Sequence, residues 1–320
     1  MIIRARAPLR LGLAGGGTDT TPYCDEHGGY VLNATIGRYA YATLATLDSP
    51  IVRFMAPDQQ LEEVLSISDA ASLGSNGGLV LHKAVYRRLI QNFNKGKAIP
   101  LELSTFCDAP AGSGLGSSST LVVAMIRALA ELLKVTLDDY AIAQLAFQIE
   151  RVDCELLGGR QDQYSATFGG FNFMEFYADD RAVVNTLRID SHIVSELEAS
   201  LLLCFTGTSR ESSKIISDQI GNVAERNQHT LQAMHEIKQE ALVMKECLLK
   251  GNFGGIVESM RSGWESKKRS AKTVTNTRID EMLEIAIDAG ALAGKGSGAG
   301  GGGDSMFFVP LATRMDAIRG

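Results

Sequence analysis

The sequence predicts a protein of mixed helix and strand built in two parts, and three observations carry that expectation. Its 320 residues allow two domains at about 100–200 residues each. The first 180 alternate short β-rich runs with glycine turns. Apolar stripes of helical period interrupt these runs and dominate the remainder of the chain.

Strands are expected at Ile2–Ala7, Tyr30–Ile36, Tyr39–Leu47, Ile51–Met55 and Leu101–Phe106, each short, apolar and bounded by turn residues. Helices are expected at Val80–Asn92 and Ser117–Lys134, where Leu121, Met125, Ala128, Leu129, Leu132 and Leu133 recur on one face. A third is expected over Leu137–Leu157, opened by Asp138 and Asp139, whose charge suits the positive end of a helix dipole. The polar stretch Tyr177–Arg181 follows Gly169–Gly170 and is the expected boundary between domains 1–180 and 181–320. Beyond it, Leu231, Met234, Ile237, Ala241, Met244 and Leu248 predict a helix ending at Gly251 as a C-cap. A helix at Ile279–Ala289 and a strand at Met306–Val309 flank the glycine run Gly294–Gly303, the one low-complexity stretch in a chain without internal repeats.

Charge and cysteine usage exclude several classes of function. Thirty-one Lys and Arg against 37 Asp and Glu leave −6, which opposes a whole-protein grip on nucleic acid or an anionic membrane but permits a local cationic pocket. The five cysteines are odd in number and form no CxxC pair, so they read as reduced thiols and not as a disulfide framework or zinc cage. No histidine pair has the HxxxH spacing of a metal site. With no signal-like start and no apolar run near the ~18 residues that span a bilayer, the expected location is the cytoplasm.

Glycine is in excess, 33 residues where average usage would give roughly 22. Twenty of the 33 fall in six short clusters. Gly28–Gly29 and Gly169–Gly170 read as turns. Pro110-Ala-Gly-Ser-Gly-Leu-Gly-Ser-Ser-Ser-Thr120 is different, because a strand-like run precedes it and an amphipathic helix comes after. Strand, glycine loop and helix N-terminus make an anion site: first-turn N–H groups point outward and the dipole adds positive charge. Its hydroxyls suit either a helix cap or a Mg²⁺ ligand, and the pattern leaves both open. No GxxxxGK[ST] is present, and the GxGxxG of Gly296, Gly298 and Gly301 has no acid about 20 residues on, so neither a P-loop nor a dinucleotide fingerprint is expected. Glu150, Asp153 and Glu155 lie on a helix running into Gly158-Gly-Arg-Gln-Asp-Gln163, where Asp162 sits just past a glycine turn that could hold it against a substrate.

Three glycine segments in this order resemble the motifs of the GHMP kinase superfamily: Ala7–Asp19 the first, Pro110–Ser119 the second and Lys295–Gly303 the third. The Ala-Gly-Gly-Gly-Thr-Asp wording of the first, with Gly158–Tyr164, Phe168–Asn172 and Thr206–Arg210, is similar to the branch that phosphorylates D-glycero-D-manno-heptose 7-phosphate; fucokinases share part of it. The resemblance implies a two-domain α+β fold, with a ribosomal-S5-like N-terminal domain, a ferredoxin-like C-terminal domain and the active site in the cleft between. It implies ATP and Mg²⁺, a small sugar or sugar phosphate whose C1 hydroxyl is phosphorylated, no nucleic acid or membrane partner, and a homodimer as one admissible assembly. Pro110, Gly112, Ser113, Gly114, Leu115, Gly116, Ser117, Ser118 and Ser119 would wrap the ATP phosphates, with Ser118 and Glu150 as Mg²⁺ ligands. Asp162 would take the proton of the C1 hydroxyl, and Arg10 would neutralise charge around the attacking oxygen. Gly17, Thr18, Asp19, Arg160, Gly300 and Gly301 would contact the sugar, while Arg38, Arg160 and Arg210 are candidates for a phosphate on C7. Two other readings remain: a kinase of an unphosphorylated sugar such as fucose, and a non-catalytic sensor on the same fold. Asp304 stands where an apolar residue is common in the superfamily, which raises a question about the packing of a closing element near the C-terminus.

Overall fold

A computed structural model describes residues 1–70, 78–207 and 212–309. Strands are β1 (Ile2–Ala14), β2 (Gly29–Thr46), β3 (Ile51–Ala56), β4 (Leu61–Ser66), β5 (Leu101–Cys107), β6 (Phe171–Phe176), β7 (Ala182–Thr186), β8 (Leu201–Phe205), β9 (Ala293–Gly296) and β10 (Asp304–Phe308). Helices are α1 (Tyr23–His27), α2 (Ile67–Ala70), α3 (Val80–Phe93), α4 (Ser117–Leu133), α5 (Asp139–Gln148), α6 (Gln161–Phe168), α7 (Ser191–Ser200), α8 (Ser212–Ala224), α9 (Gln228–Lys250), α10 (Phe253–Ser270) and α11 (Thr277–Asp288).

A seven-stranded sheet forms around β2, which pairs with β1 from Leu32 to Ala45 along one edge. The other edge is divided, with β6 bonded to Gly29–Ala34 and β5 to Ala40–Thr46. The remaining pairs are antiparallel except β3 with β5. Two runs expected as separate strands are therefore one continuous strand through Gly37.

Burial along β2 records which faces are covered. From Ala40 to Leu44 only alternate residues are buried, whereas Val31–Ala34 are buried without interruption. One face is covered throughout by α4, a helix so apolar that Leu121–Ile126 are all buried. Among the described residues the second face is covered at the Gly29–Ala34 end, where α9 packs on β1 and β2 with Lys238 over the Tyr30 ring. Alternation gives way to continuous burial where a second layer arrives.

A three-stranded antiparallel sheet, β8–β10–β9, carries the C-terminal part with α10 against α9 and β9. The helix expected to end at Gly251 does so, with φ 65° at that glycine. Other expectations are displaced. Tyr177–Arg181, expected as the domain boundary, is the turn joining β6 to β7, and the large sheet runs on to Thr186. The helix expected over Leu137–Leu157 stops at Gln148 and passes into a π-helical turn, Ile149–Asp153, before the chain reaches α6. Periodicity does not register the widening, because Ile142, Leu145, Ile149 and Val152 keep helical spacing in the sequence although Val152 is turned out to solvent. The glycine run supplies β9 at its start. Buried Asp304 opens β10, and its backbone N–H, which any residue but proline would supply, seats the strand on the phosphate loop by donating to the Ser113 carbonyl at 2.7 Å. Any closing element after Val309 lies outside the described residues.

Leu44 is fully buried between β2 and α4. Leu44→Ala is expected to remove about 2–5 kcal/mol of stability, against less than about 0.5 kcal/mol for exposed Leu249→Ala. Urea unfolding midpoints at unchanged slope check the pair.

Candidate active site

A cleft of about 710 Å³ lies where the first glycine loop, the Gly112–Ser119 loop, the Glu150–Gln161 connection, α8, α10 and the third glycine run converge. That is the size of an ordinary small-ligand site.

The floor begins with Arg10 on β1. Its backbone N–H donates to the Leu115 carbonyl at 3.1 Å, which ties β1 to the phosphate loop. Its nearly buried guanidinium donates through Nε and Nη2 to Asp162 Oδ1, both at 2.6 Å, and through Nη1 to the Gly114 carbonyl. Asp162 sits in the first turn of α6. Its Oδ2 accepts no hydrogen bond among the described residues and is turned toward Gly116, the residue before α4.

α4 begins with Gly116 at φ 80° as N-cap and takes no side-chain cap. Ser117, Ser118 and Ser119 line the cleft, and their N–H groups have no acceptor among the described residues, as an anion site requires. Of the two readings of the serine cluster, capping is not the one adopted. Ser118 Oγ instead donates to Glu150 Oε1 at 2.7 Å, and Gln163 Nε2 donates to Glu150 Oε2 at 2.6 Å. Glu150 is fully buried on the π turn, with Arg151 the nearest cation at 3.9 Å.

Asp19 forms the opposite wall. Its Oδ1 accepts from Gly17 N at 3.0 Å and Gln161 Nε2 at 3.2 Å, and its Oδ2 from Gln161 N at 2.9 Å. The carboxylate therefore caps α6 from a distant segment. This is possible because residue 159 is glycine: a Cβ there would lie 2.0 Å from Asp19 Oδ2.

Two lysines reach in from the C-terminal part. Lys267 on α10 donates to the carbonyls of Gly16 at 2.9 Å and Gly298 at 3.0 Å. Lys295 on β9 donates to those of Gly12 and Leu13 at 2.8 and 2.9 Å. Burial lowers Lys267 to about 8, partly opposed by Asp19, and lowers Lys295 to about 7, with the Lys267 charge adding to the effect. The third glycine run meets the phosphate loop directly: a Cβ on Gly114 would stand 2.8 Å from the Ser297 carbonyl, and one on Gly298 2.9 Å from that of Gly114.

A profile of the GHMP kinases N terminal domain matches residues 80–170, and one of the GHMP kinases C terminal domain matches residues 244–317. The chain belongs to the GHMP kinase family. It is 46% identical over 317 residues to the D-glycero-alpha-D-manno-heptose 7-phosphate kinase of Campylobacter jejuni, covering 99% of this chain and 92% of that protein. It superimposes with TM-score 0.83 and 40% identity on the crystal structure of a D-glycero-D-manno-heptose 1-phosphate kinase from Bacteroides thetaiotaomicron, covering 99% and 91% of the two chains. Streptococcus pneumoniae phosphomevalonate kinase, at 18% identity and TM-score 0.77 with 99% and 95% covered, shares the fold.

Within this GHMP kinase cleft, Arg10, Gly17, Asp19, Gly112, Gly114, Gly116, Ser117, Ser118, Ser119, Glu150 and Asp162 come together as expected from the sequence. Others do not line it. Thr18 is fully buried, its hydroxyl donating to the Gly15 and Tyr30 carbonyls and accepting from Tyr30 N, so it braces the loop and offers nothing to a sugar. Arg160 turns away to Asp25, Asp180 and the Tyr177 carbonyl. Gly300 and Gly301 pack behind the cleft on Val274, Thr273 and Ile215, while Gly298 and Ala299 face it. Pro110 is exposed, and Ser113 and Leu115 are buried supports of the loop. Arg38 is exposed on β2, away from the cleft, and Arg210 lies outside the described residues.

Sequence reading missed Gln161, Gln163 and Lys267. The two glutamines flank Asp162, so their spacing was visible, but their partners Asp19 and Glu150 are remote in sequence. Lys267 begins the basic run Lys267-Lys268-Arg269, which reads as ordinary charge at a helix C-terminus.

Gly159→Ala is expected to push Asp19 off α6, lowering the unfolding midpoint and reducing activity by roughly tenfold or more. Gly37→Ala, with open space around its Cβ position, is expected to leave both near wild type. Thermal unfolding with parallel ADP-release assays distinguishes the two.

Proposed function

We propose that this GHMP kinase transfers the γ-phosphoryl group of ATP to the C1 hydroxyl of D-glycero-D-manno-heptose 7-phosphate. One observation carries the reading: the unbonded Oδ2 of Asp162 lies beside Gly116 at the uncapped N-terminus of α4, and both line a single cleft. The 46% identity to a heptose 7-phosphate kinase over nearly the whole chain supports the choice of acceptor.

In this reading the triphosphate lies against the Gly112–Ser119 loop, its oxygens taking the N–H groups of Ser117, Ser118 and Ser119. The sugar stands on the other side, against Asp19 and Gln161. Asp19 accepts three hydrogen bonds already, and a carboxylate has about four acceptor sites, which leaves one for a sugar hydroxyl. Asp162 Oδ2 takes the C1 hydroxyl proton, and the oxygen lone pair forms the new bond to the γ-phosphorus. The bond from that phosphorus to the β–γ bridging oxygen breaks, its electrons leaving on ADP. Arg10 holds Asp162 in place and offsets the negative charge that gathers there. Most of the rate in such a transfer comes from positioning and charge stabilisation, and a general base contributes about 10²–10⁴-fold.

The donor set at Ser118 and Glu150 suits Mg²⁺: a hydroxyl and a carboxylate oxygen 2.7 Å apart, on a buried acid whose nearest cation, Arg151, stands 3.9 Å away. Mg²⁺ typically takes one or two protein oxygens and completes its shell with water and substrate phosphates. Among the described residues no cluster of three or more His, Cys, Asp or Glu could hold a metal, which agrees with so sparse a protein contribution. A Mg²⁺ held there would neutralise charge on the β- and γ-phosphate oxygens. Reactants of this kind, together with cysteines that form no disulfide among the described residues, support a cytoplasmic setting. No described helix is long and apolar enough to cross a membrane.

An unphosphorylated acceptor is the second reading, favoured by Arg160 being occupied by Asp25 and Asp180. Coupled ADP-release assays with heptose 7-phosphate, free heptose and fucose separate the two; the expected result is turnover highest on the phosphorylated heptose, and no turnover on any sugar overturns the kinase reading. Asp162→Asn is expected to lower kcat by about 10²–10⁴-fold with the KM for ATP within a few fold; unchanged kcat removes the base. Glu150→Gln is expected to raise the Mg²⁺ concentration for half-maximal rate by roughly tenfold or more, read from a Mg²⁺ titration at fixed ATP.

A further inference from the structure

We propose that Lys267 is a catalytic residue that hydrogen-bonds the phosphoryl group in flight, a role that rests on the kinase reading above. A lysine ammonium has three N–H bonds and no acceptor. Two of those of Lys267 are directed at the carbonyls of Gly16 and Gly298, in the first and third glycine loops. No described protein acceptor takes the third, yet the residue lines the cleft and is only 6% exposed. The other cleft cations are more fully engaged: Arg10 by Asp162 and Gly114, and Arg151 by the carbonyls of Gly159 and Leu156 and by Glu150.

Position then selects the ligand atom. Lys267 lines the cleft together with Arg10, Asp19 and Asp162, and its Nζ and the side-chain amide of Gln161, the residue before Asp162, both border Gly16, which puts it beside the acid. Its Gly298 anchor is in contact with Gly114 of the phosphate loop. A phosphate on C7 would lie several bonds away from this point, whereas the transferred group passes through it. Lysine neither gains nor loses a bond in the step; Nζ keeps its proton and donates to a non-bridging oxygen as charge shifts toward ADP. Because Nζ is already fixed by two backbone carbonyls, it needs no reorganisation when the transition state forms. The same two bonds join the loops at the first motif and the third, so the cation is in place only when both are. Lys295 binds the first loop from behind and does not line the cleft.

Burial sets the direction in which the proton affinity of Lys267 is moved; of the charged groups around it, Asp19 after the first loop and Asp162 on α6 oppose that shift and Arg10 on β1 adds to it, while Lys295 on β9 is itself lowered by the Lys267 charge. The affinity of Lys267 for a proton is lowered to about 8, so the charged form prevails below that pH and is lost above it. The wild-type rate should therefore fall on the alkaline side.

The test is steady-state kinetics on Lys267→Met and Lys267→Arg beside wild type and Lys268→Met, a half-exposed neighbour paired with Glu265 and absent from the cleft lining. Lys267→Met is expected to lose about 10²–10³-fold in kcat, as for one transition-state donor, with both KM values within about fivefold and partial rescue by added alkylammonium ions. Lys267→Arg, charged at every pH tested, is expected to lose the alkaline limb; Lys268→Met is expected to match wild type. A Lys267→Met enzyme that keeps kcat within about fivefold overturns the inference. So does a rise in KM confined to heptose 7-phosphate and absent for free heptose, which would place the cation on the acceptor's own phosphate. Should Lys267→Met not fold, an unchanged alkaline limb in Lys267→Arg overturns it. Wild type without turnover on any sugar would instead defeat the kinase reading.

Discussion

The guanidinium of Arg10 holds three separate parts of the chain at one point: the strand that carries it, the Asp162 carboxylate on α6 and the Gly114 carbonyl of the phosphate loop. Its own backbone N–H adds a bond to Leu115 in the same loop. A cation this deeply buried is tolerated only when its donors are matched, and removing one partner of a buried pair costs about 3–5 kcal/mol. Arginine suits the place because its planar fork addresses several acceptors at once. The separation between the acid and the phosphate loop is thus set by a single side chain, and the width of the cleft depends on it.

Around that point the walls are built by close backbone approach. The Gly114 and Gly298 segments approach too closely for a Cβ on either. Loops this near can exchange hydrogen bonds directly, as Ser297 Oγ does with the Gly114 carbonyl and Asp304 N with that of Ser113. Lys267 and Lys295 then tie the C-terminal part to the first motif through three backbone carbonyls, those of Gly16, Gly12 and Leu13. The lowered proton affinity of both lysines reflects an interior with little water, where a bound polyanion would be felt strongly.

The phosphate loop and its helix are legible in the amino-acid sequence because their signal is local. Ser117–Leu133 is announced by apolar period and Gly112–Gly116 by glycine spacing, and both occur close to the expected positions. Asp162 is legible as an acid just past a glycine turn, and Glu150 as an acid on the helix that runs into that turn. The departures have a common origin. Arg160 and Thr18 lie inside recognisable motifs, but a motif does not say which way a side chain points; Asp25 and Asp180 draw the one away, and Tyr30 engages the other. The π turn under Glu150 is invisible to periodicity, as is the hairpin at Tyr177–Arg181, whose polarity reads as a boundary.

By itself the sequence determined the glycine excess and its placement, the anion-binding loop before an apolar helix, the acids near it and a mixed fold in two parts. Each arises from neighbours within a few residues, where sterics and hydrogen-bonding capacity act without the rest of the chain. Only the tertiary structure decided which acid keeps an oxygen unbonded in the cleft, which arginine holds it, and that a lysine from a remote helix completes the wall. These depend on segments as far apart as Gly16 and Lys267, brought together by packing of α9 and α10 against one end of the large sheet. Local sequence carries no record of such a meeting, because the energy that fixes it is burial shared across the whole core.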